Sequence, residues 1–504
     1  MENFLNGISN ELNDRLTLTE NGALAYETSG HKLLDMNFKL SSYRNVSELE
    51  IEDDFAKAYA ENPRLAVKFL FFAGDVRGGA GERRVFRTCL HWLAKTRPNW
   101  ANAVLPLVAD YNRWDSLLSV LYTPVEADAV ELLHTQLVAD LKAMEEGKSV
   151  SLCAKWLPSI NASSQETRRT AQRLAKAWGM TEKQYRKALA ALRNHLNVTE
   201  VRMTDGDWWK IDYSAVPSLA NIRYRNAFLK HDAERRQEYL QELENGETKI
   251  NASVTAPHEV VRAYRNGGMN LDASLEAVWK ALPDYVKGDS SSIAVVDGSG
   301  SMTSHIGNGN LTASDVATGL GLYFAERLKG AFKDKYITFS RSPRLVDFSN
   351  TASLCERLNV ADSYDECANT DIEAVFDLIL KTAVDNNMRQ DELPKNIVIF
   401  SDMEFDSCAE PCGSSVQKTL FETIARRYRT AGYRLPRLVF WNINSRTNAV
   451  PLRENENGVA LMSGFSPALV KMALSGTLDP FDVLLETLNA PRYAPVETAL
   501  AGVA

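Results

Sequence analysis

Three short polar segments of this chain combine hydroxyl and carboxyl side chains in a pattern that suits a metal ion. They are Asp297-Gly298-Ser299-Gly300-Ser301, Asn369-Thr370-Asp371 and Ser401-Asp402. Hard cations such as Mg²⁺ take oxygen ligands in an octahedral shell. Alternating Asp and Ser on one tight loop can direct three oxygens to a single point, and the two glycines permit the bend. These residues therefore favour the binding of a divalent cation.

The residues around these segments predict the elements that would position them. From residue 291 onwards, short apolar runs alternate with helix-like periodic segments, which is typical of a mostly parallel sheet covered on both faces. The predicted strands are 291–296, 336–339, 344–346, 396–400, 437–441 and 459–462, and the predicted helices are 315–328, 372–383, 415–431, 466–475 and 479–489. In such sheets ligands bind beyond the carboxyl ends of the strands. Asp297 and Asp402 both follow a predicted strand.

An Asp-x-Ser-x-Ser loop in this position, with Thr370 and Asp402 following in order, resembles the metal-ion-dependent adhesion site of von Willebrand factor A-type domains. The resemblance implies direct ligation by Ser299 and Ser301, and ligation by Thr370 either directly or through water. It implies that Asp297 and Asp402 act largely through water. A metal with few charged ligands stays electrophilic and would bind an acidic group or a phosphate of a partner. We expect Mg²⁺, and Mn²⁺ or Ca²⁺ would also suit an oxygen-lined site.

Two other interpretations of the same segments remain open. The serine loop could be a Ser/Gly turn without a metal. A two-carboxylate hydrolase could use Asp402, Glu404 and Asp406. However, no nucleophile-and-base pair can be assembled from the motifs, so we expect no enzymatic activity. Glu404 and Asp406 are then predicted to be solvated loop acids.

The first 290 residues predict one amphipathic helix after another, with almost no strand-like alternation. The fold class that follows is an all-α, HEAT-like helical-repeat array, followed by an α/β doubly wound domain of the A type. The predicted domains are an N-terminal segment (1–30), the helical domain (31–290), the A-type domain (291–490) and a C-terminal tail (491–504).

Four phrases of the helical part, with the A-type domain, resemble the family called domain of unknown function 2828. They are residues 72–83 (FAGDVRGGAGER), 111–118 (YNRWDSLL), 152–159 (LCAKWLPS) and 211–214 (IDYS). The layout of that family is similar to that of the Ro/TROVE ribonucleoproteins. The resemblance implies a ring or arc of helices that binds single-stranded or structured small RNA, closed by the A-type domain.

The basic residues of the helical part are compatible with such a surface. From Lys155 to Arg193 the chain has nine basic and two acidic side chains. The candidate RNA-binding residues are Lys155, Arg168, Arg169, Arg173, Lys176, Arg186, Lys187, Arg77, Arg83 and Arg84. The alternative is that they form solvated helix faces. Arg77, Arg83 and Arg84, beside a Gly-rich turn, could bind phosphate or pair with Asp75 and Glu82.

Tryptophans accompany the basic residues at three places, namely Trp156, Trp178 and Trp208-Trp209. Single-stranded nucleic acid is commonly held by a basic groove with aromatic platforms, although tryptophans more often belong to a core. The second function class that the sequence leaves open is a scaffold whose metal grips an acidic residue of a partner protein, without nucleic acid.

Bulk properties place limits on these functions. The net charge of -8 argues against a general nucleic-acid binder with one basic surface. No apolar run is long enough to span a membrane, and the N-terminal residues lack the apolar segment of a signal peptide. We therefore expect a cytoplasmic protein with six reduced cysteines, in which the Cys408/Cys412 spacing is a weak indication of zinc.

Overall fold

The computed structural model describes residues 16–22, 24–287, 291–339, 342–364, 371–405, 420–447, 449–450, 459–474 and 479–503. A short hairpin, β1 (Leu16–Leu18) and β2 (Leu24–Tyr26), precedes a long helical part. Its helices are α1 (Lys32–Phe38), α2 (Glu48–Glu61), α3 (Pro63–Gly74), α4 (Arg83–Thr96), α5 (Pro98–Val104), α6 (Val108–Tyr111), α7 (Glu126–Glu145), α8 (Cys153–Trp156), α9 (Gln165–Ala177), α10 (Glu182–His195), α11 (Thr199–Asp205), α12 (Ser218–His231), α13 (Ala233–Glu244), α14 (Pro257–Asn266) and α15 (Ala273–Lys280). The predicted helical half is confirmed.

An α/β unit follows, as the alternating pattern predicts. Its elements are β3 (Ser292–Asp297), α16 (Ala313–Arg327), β4 (Lys335–Phe339), β5 (Leu345–Asp347), α17 (Leu354–Ser363), α18 (Ile372–Asp385), β6 (Asn396–Ser401), α19 (Leu420–Thr430), β7 (Arg437–Asn442), β8 (Val459–Ser463), α20 (Val470–Ala473), α21 (Pro480–Leu488) and α22 (Ala494–Leu500). Every residue of β3, β7 and β8 is buried, which is why these strands read as continuous apolar runs.

The strand order of the sheet places the serine loop at its centre. The order is β5-β4-β3-β6-β7-β8, in which all neighbours are parallel except the edge strand β5. The chain winds outwards in one direction from β3 and in the other from β6, so the winding reverses between these two strands. Ligands of doubly wound sheets bind at this reversal, beyond the carboxyl ends of the strands. The loops after β3 and β6 carry Asp297 and Asp402.

The two parts of the chain are packed closely against each other. Helix α14 lies on α16, where a Cβ on Gly319 would stand 2.8 Å from the backbone nitrogen of His258. Only a glycine allows the two backbones to approach this closely. Residues that follow α1 lie over the ends of β7 and β8. There the Ser41 hydroxyl donates a hydrogen bond to the carbonyl of Asn442 at 3.0 Å. Both contacts anchor the α/β unit to the helical part.

Residues 491–503, which the sequence set apart as a tail, form part of the helical core. Helix α22 packs on α3 and α5, and Tyr493, Val496 and Leu500 are buried. Arg492 forms a bidentate ion pair with the buried carboxylate of Asp75, and the Tyr493 hydroxyl donates to the same carboxylate at 3.2 Å. The apolar spacing of a seven-residue helix is too short to reveal this docking from sequence.

We expect Arg492→Ala to lower the free energy of unfolding by about 3 kcal/mol, because it leaves Asp75 buried without its cation. The matched control is Arg64→Ala, since Arg64 pairs with Glu497 of α22, whose side chain is 42% exposed, whereas that of Asp75 is fully buried. That change should cost less than about 1 kcal/mol. Urea denaturation of the two variants measures the difference, and equal costs would mean that the Asp75 pair does not anchor the C-terminal helix.

The glycine-rich phrase 72–83 has a structural role at the same place. A Cβ on Gly79 would stand 2.0 Å from the carbonyl oxygen of Phe72, so no other residue fits. Glu82 is buried and accepts hydrogen bonds from Arg44 at 2.7 and 2.9 Å. The acids of the phrase therefore pair with Arg44 and Arg492, and not with the arginines beside them in the sequence.

Candidate metal centre and basic surfaces

The serine loop and the end of β6 converge on one point. The Ser401 hydroxyl donates to Asp297 at 2.5 Å, and the backbone nitrogen of Ser299 donates to the other oxygen of Asp297 at 2.9 Å. The hydroxyl oxygens of Ser299 and Ser301 lie 2.9 Å apart. Since β3 and β6 are parallel neighbours, this convergence follows directly from the strand order.

Asp402 lies at the same point, beside Asp297. Burial and the neighbouring charge of Asp402 raise the pKa of Asp297 to about 7, although hydrogen bonds from Ser401 and Ser299 oppose the shift. Burial also raises the pKa of Asp402, against a hydrogen bond from Ser301 and the charge of Arg446. Two adjacent buried carboxylates with serine hydroxyls between them form the all-oxygen donor set that a divalent cation requires. The residues present thus fit a metal of this kind.

The fifth candidate ligand, Thr370, lies outside the described residues, as do Asp406 and the cysteines Cys367, Cys408 and Cys412. Asp371, next to it, caps α18 by accepting a hydrogen bond from the backbone nitrogen of Ala374 at 3.0 Å. In the described ranges no group of three or more His, Cys, Asp or Glu side chains is placed to hold a metal. The candidate centre therefore depends on its serine hydroxyls.

Glu404 is not the solvated loop acid that the sequence predicted, because its side chain is fully buried. Its carboxylate accepts hydrogen bonds from the backbone nitrogens of Glu20, Arg446 and Thr447 at 2.8, 2.8 and 3.0 Å. Met403, between Asp402 and Glu404, has a φ of +65°, a conformation that side chains other than glycine rarely adopt. Glu404 thus holds two separate segments, the turn between β1 and β2 and the loop after β7, beside the serine loop, and sequence spacing gave no sign of it.

Arg446 lies at the edge of the candidate centre. Its guanidinium is 3.4 Å from Asp402 and 2.6 Å from Glu20, which belongs to the turn between β1 and β2. The Thr19 hydroxyl of that turn donates to the carbonyl of Phe405 at 2.6 Å. The positively charged guanidinium of Arg446, at the rim of the candidate centre, would attract an anionic group of a ligand. Sequence reasoning missed Arg446 because 44 residues separate it from Asp402.

The helix pair α9–α10 exposes a group of basic side chains. Ser164 caps α9, and Thr181 forms a capping box with Gln184 at the start of α10. The exposed basic residues are Arg169, Lys176, Lys183, Arg186 and Lys187, which we call the α9–α10 basic face. In the part of the chain that the structure describes, no hydrogen bond or ion pair engages these side chains. They are thus free to bind anions.

Three other candidates have partners within the protein. Arg84 donates to the carbonyls of Tyr43 and Val46, and Arg168 donates to those of Ala162 and Ser163 at 2.7 and 2.8 Å. Arg173 pairs with Glu126. These three arginines therefore have roles inside the fold, and we omit them from the candidate RNA-binding surface.

The remaining candidates lie in different surroundings. Arg77 is exposed beside the glycine-rich turn, and Arg83 is half-buried at the start of α4. Lys155 lies 5.6 Å from the ring centre of Trp156, over which Arg113 also stacks at 4.0 Å. Of the other tryptophans, Trp178 donates to the carbonyl of Val130 and is packed against His134 and Tyr185. Trp209 is 68% exposed and suits a stacking platform.

Comparisons with known proteins match both halves of the chain. The model for a domain of unknown function, DUF2828, matches residues 19–113 and 161–293, and that for a second domain of unknown function, DUF7788, matches residues 291–484. An uncharacterised protein, L728, of Acanthamoeba polyphaga mimivirus is 31% identical over 523 residues, which cover 95% of this chain and 88% of that protein.

Two solved structures show more distant likenesses. The Ro (RSR) protein of Deinococcus radiodurans is 14% identical with a TM-score of 0.45, covering 87% of this chain and 92% of that one. Proximal thread matrix protein 1 from the mussel byssus, solved with a zinc-occupied MIDAS motif, is 12% identical with a TM-score of 0.23, covering 37% of this chain and 48% of that one. Among the described helices, none has the length and apolar character needed to cross a bilayer.

Proposed function

We propose that this chain, which belongs to the DUF2828 family, is a non-catalytic RNA-binding protein that holds single-stranded or structured small RNA on the α9–α10 basic face. The observation that carries the proposal is the exposure of Arg169, Lys176, Lys183, Arg186 and Lys187 without any partner in the described residues. Five unpaired cations on two adjacent helices create a strongly positive surface on an otherwise acidic protein. Phosphate contacts from such a surface supply most of the affinity of sequence-independent binding.

Exposed aromatic side chains of the helical part offer stacking surfaces for bases as well. Trp209 is exposed, and the amine of Lys210 lies 4.9 Å from its ring centre. Tyr122 is 80% exposed and is stacked by Arg173 at 4.4 Å. Bases of a single strand stack on aromatic rings of this kind, largely independently of sequence. The similarity of layout to Ro/TROVE proteins, stated from the sequence motifs, also favours RNA as the ligand.

The second part of the proposal is a divalent cation, most simply Mg²⁺, held by Ser299, Ser301, Asp297 and Asp402 together with Thr370. The bound ion would supply an electrophilic position for one anionic group, such as a phosphate or a carboxylate. The protein's own residues orient that group: Glu404 fixes the loop that carries Arg446, and Arg446 presents its guanidinium beside Asp402. We infer a docking role for the site, because its serine hydroxyls and its two carboxylates together form an oxygen donor set for a cation.

The test of RNA binding is fluorescence anisotropy with the full chain and a labelled single-stranded RNA of about 20 nucleotides, longer than the site of one binding module. We expect binding that weakens steeply between roughly 50 and 200 mM salt. Polyglutamate of matched charge serves as the competitor control and should displace the RNA only weakly. If polyglutamate competes as well as unlabelled RNA, the proposed function is wrong.

A scaffold without nucleic acid is the second candidate function. The convergence of Asp297, Ser299, Ser301 and Asp402 favours it, since an electrophilic metal can bind an acidic side chain of a partner protein. In this case Ser299→Ala should abolish Mg²⁺-dependent capture of a protein partner, while the RNA assay shows no binding. Retained capture by Ser299→Ala would exclude the scaffold.

A further inference from the structure

A cavity of about 190 Å³ lies between the helical part and the α/β unit. Its walls come from the start of α4, from the start of α14 with the residues before it, and from the turn after β8. The side chains that matter are Arg44, Arg83, Thr255, His258, Glu259 and Phe465. Since a water molecule in the liquid occupies about 30 Å³, the cavity has room for a small anion together with several waters. It uses none of the candidate metal ligands.

The cavity contains polar groups that the protein leaves without partners. Thr255 is 2% exposed and His258 is 8% exposed. The hydroxyl of Thr255 and the Nδ1 of His258 are buried, and neither has a hydrogen-bond partner among the described residues. A buried polar atom without a partner costs stability, so such atoms in native proteins usually mark a bound molecule. Both atoms come from the wall formed by the start of α14 and the residues before it.

The charge of the cavity is positive. Arg83 is half-buried, and no hydrogen bond or ion pair within the described ranges engages its guanidinium. Burial, together with the nearby positive charges of Arg113 and Arg87, lowers its pKa. Those two arginines share the carboxylate of Asp115 at 2.5 and 2.9 Å. The charges of Asp115 and Glu259 act on Arg83, but neither carboxylate forms an ion pair with it in the described residues. An unpaired guanidinium among other guanidinium groups favours an anion strongly.

We infer that this cavity, which we call the α4–α14 pocket, binds a phosphate group through Arg83, Thr255 and His258. A guanidinium presents paired N–H groups that match two oxygens of a phosphate, and the Thr255 hydroxyl and His258 Nδ1 can each donate to another oxygen. A tetrahedral oxyanion has enough acceptor oxygens for all three groups. Phe465 also lines the cavity, with its ring 5.4 Å from that of His258 and its ring centre 4.0 Å from the Arg44 guanidinium.

Glu82, Glu259 and Arg44 also lie at or near the pocket, and their interactions are compatible with a bound phosphate. Glu82 neutralises Arg44 through three hydrogen bonds, so Arg83 remains the free cation of the pocket in the described chain. Burial raises the pKa of Glu259 to about 7, and its carboxylate accepts a hydrogen bond from the backbone nitrogen of Ala256 at 2.8 Å. A carboxyl group that is partly protonated at neutral pH opposes an anion less than an ionised one does.

The phosphate could belong to a small phosphomonoester or to the end of an RNA strand, and the test separates these sources. The melting temperature of the full chain is measured with inorganic phosphate and, at equal ionic strength, with chloride. Affinities are then measured for a short oligoribonucleotide with and without a 5′-phosphate. We expect stabilisation by phosphate beyond that by chloride. A preference for the phosphorylated oligonucleotide assigns the pocket to RNA ends, and phosphate binding without this preference assigns it to small phosphomonoesters.

The variants are Arg83→Gln and Thr255→Val, with Lys95→Gln as the control at the far, exposed end of α4. Phosphate affinity should fall about tenfold or more in Arg83→Gln and severalfold in Thr255→Val, and stay unchanged in Lys95→Gln. Without phosphate, Thr255→Val should melt no lower than the wild type, because it removes a buried hydroxyl that has no partner. Absence of phosphate-specific stabilisation, or equal affinity in wild type and both pocket variants, would overturn the inference. These outcomes do not depend on whether the α9–α10 basic face binds RNA.

Discussion

The triple variant Arg169→Glu, Arg186→Glu and Lys187→Glu should bind single-stranded RNA about 100-fold more weakly than the wild type at physiological salt. The three side chains are exposed and have no partner in the described residues, so their reversal disturbs no contact of the fold. Each lost phosphate contact removes about 0.7 from the slope of log affinity against log salt. The slope should therefore become shallower by about 2 for three contacts.

The matched control reverses three exposed lysines elsewhere, Lys95, Lys329 and Lys381. Both triple variants change the net charge by the same amount, so they separate a local RNA surface from a general effect of charge. Anisotropy titrations over a series of KCl concentrations give the affinity and the slope for each. Equal losses in both variants, or an unchanged slope in the first, would show that RNA does not bind at the α9–α10 basic face.

Addition of Mg²⁺ should raise the melting temperature of the wild type and leave that of Ser299→Ala unchanged. A ligand that binds only the folded state at 100 times its dissociation constant stabilises it by about 2.7 kcal/mol. Ser304→Ala is the matched control, because Ser304 lies on the same loop and is not one of the candidate ligands. It should keep the full response to Mg²⁺. A Mg²⁺ response in Ser299→Ala as large as in the wild type would contradict the proposed centre.

Asp402→Asn should have opposite effects with and without the metal. In EDTA it should melt higher than the wild type, by a margin equivalent to roughly 1–3 kcal/mol, because it removes one of two adjacent buried carboxylates. The charge of Asp402 is one cause of the raised pKa of Asp297. With Mg²⁺ the order should reverse, since the variant lacks a carboxylate of the site. Lower stability of Asp402→Asn in EDTA would mean that the two carboxylates do not repel each other.

The α/β half was predictable because its information is local. Each buried parallel strand is a continuous apolar run, and the polar residues that follow it must lie at the same edge of the sheet. Strands β3 and β6 were placed within about one residue of their observed ends. The proximity of Asp297, Ser299, Ser301 and Asp402 follows from that order alone.

The candidate RNA-binding arginines show what the sequence pattern of a single helix does not determine. Arg168 and Arg169 are adjacent in the sequence, yet the first binds two carbonyls and the second is exposed. Whether an arginine meets solvent or a backbone carbonyl depends on which turn the fold brings near it, and neither charge nor helical period specifies this. The same reason explains why Arg84, a candidate RNA contact in the sequence, donates to two backbone carbonyls in the fold.

By itself the sequence determined two halves of different fold class, the oxygen-rich loops at the end of β3 and β6, and the concentration of basic residues near α9 and α10. Only the tertiary structure decided which of those basic residues are unpaired, that Glu404 is buried, that Arg446 lies beside Asp402, and that α22 returns to the helical core through Arg492 and Asp75. The physical reason is that hydrophobic periodicity acts over one element, whereas pairing and desolvation of charges depend on segments that are hundreds of residues apart in the chain, as Asp75 and Arg492 are.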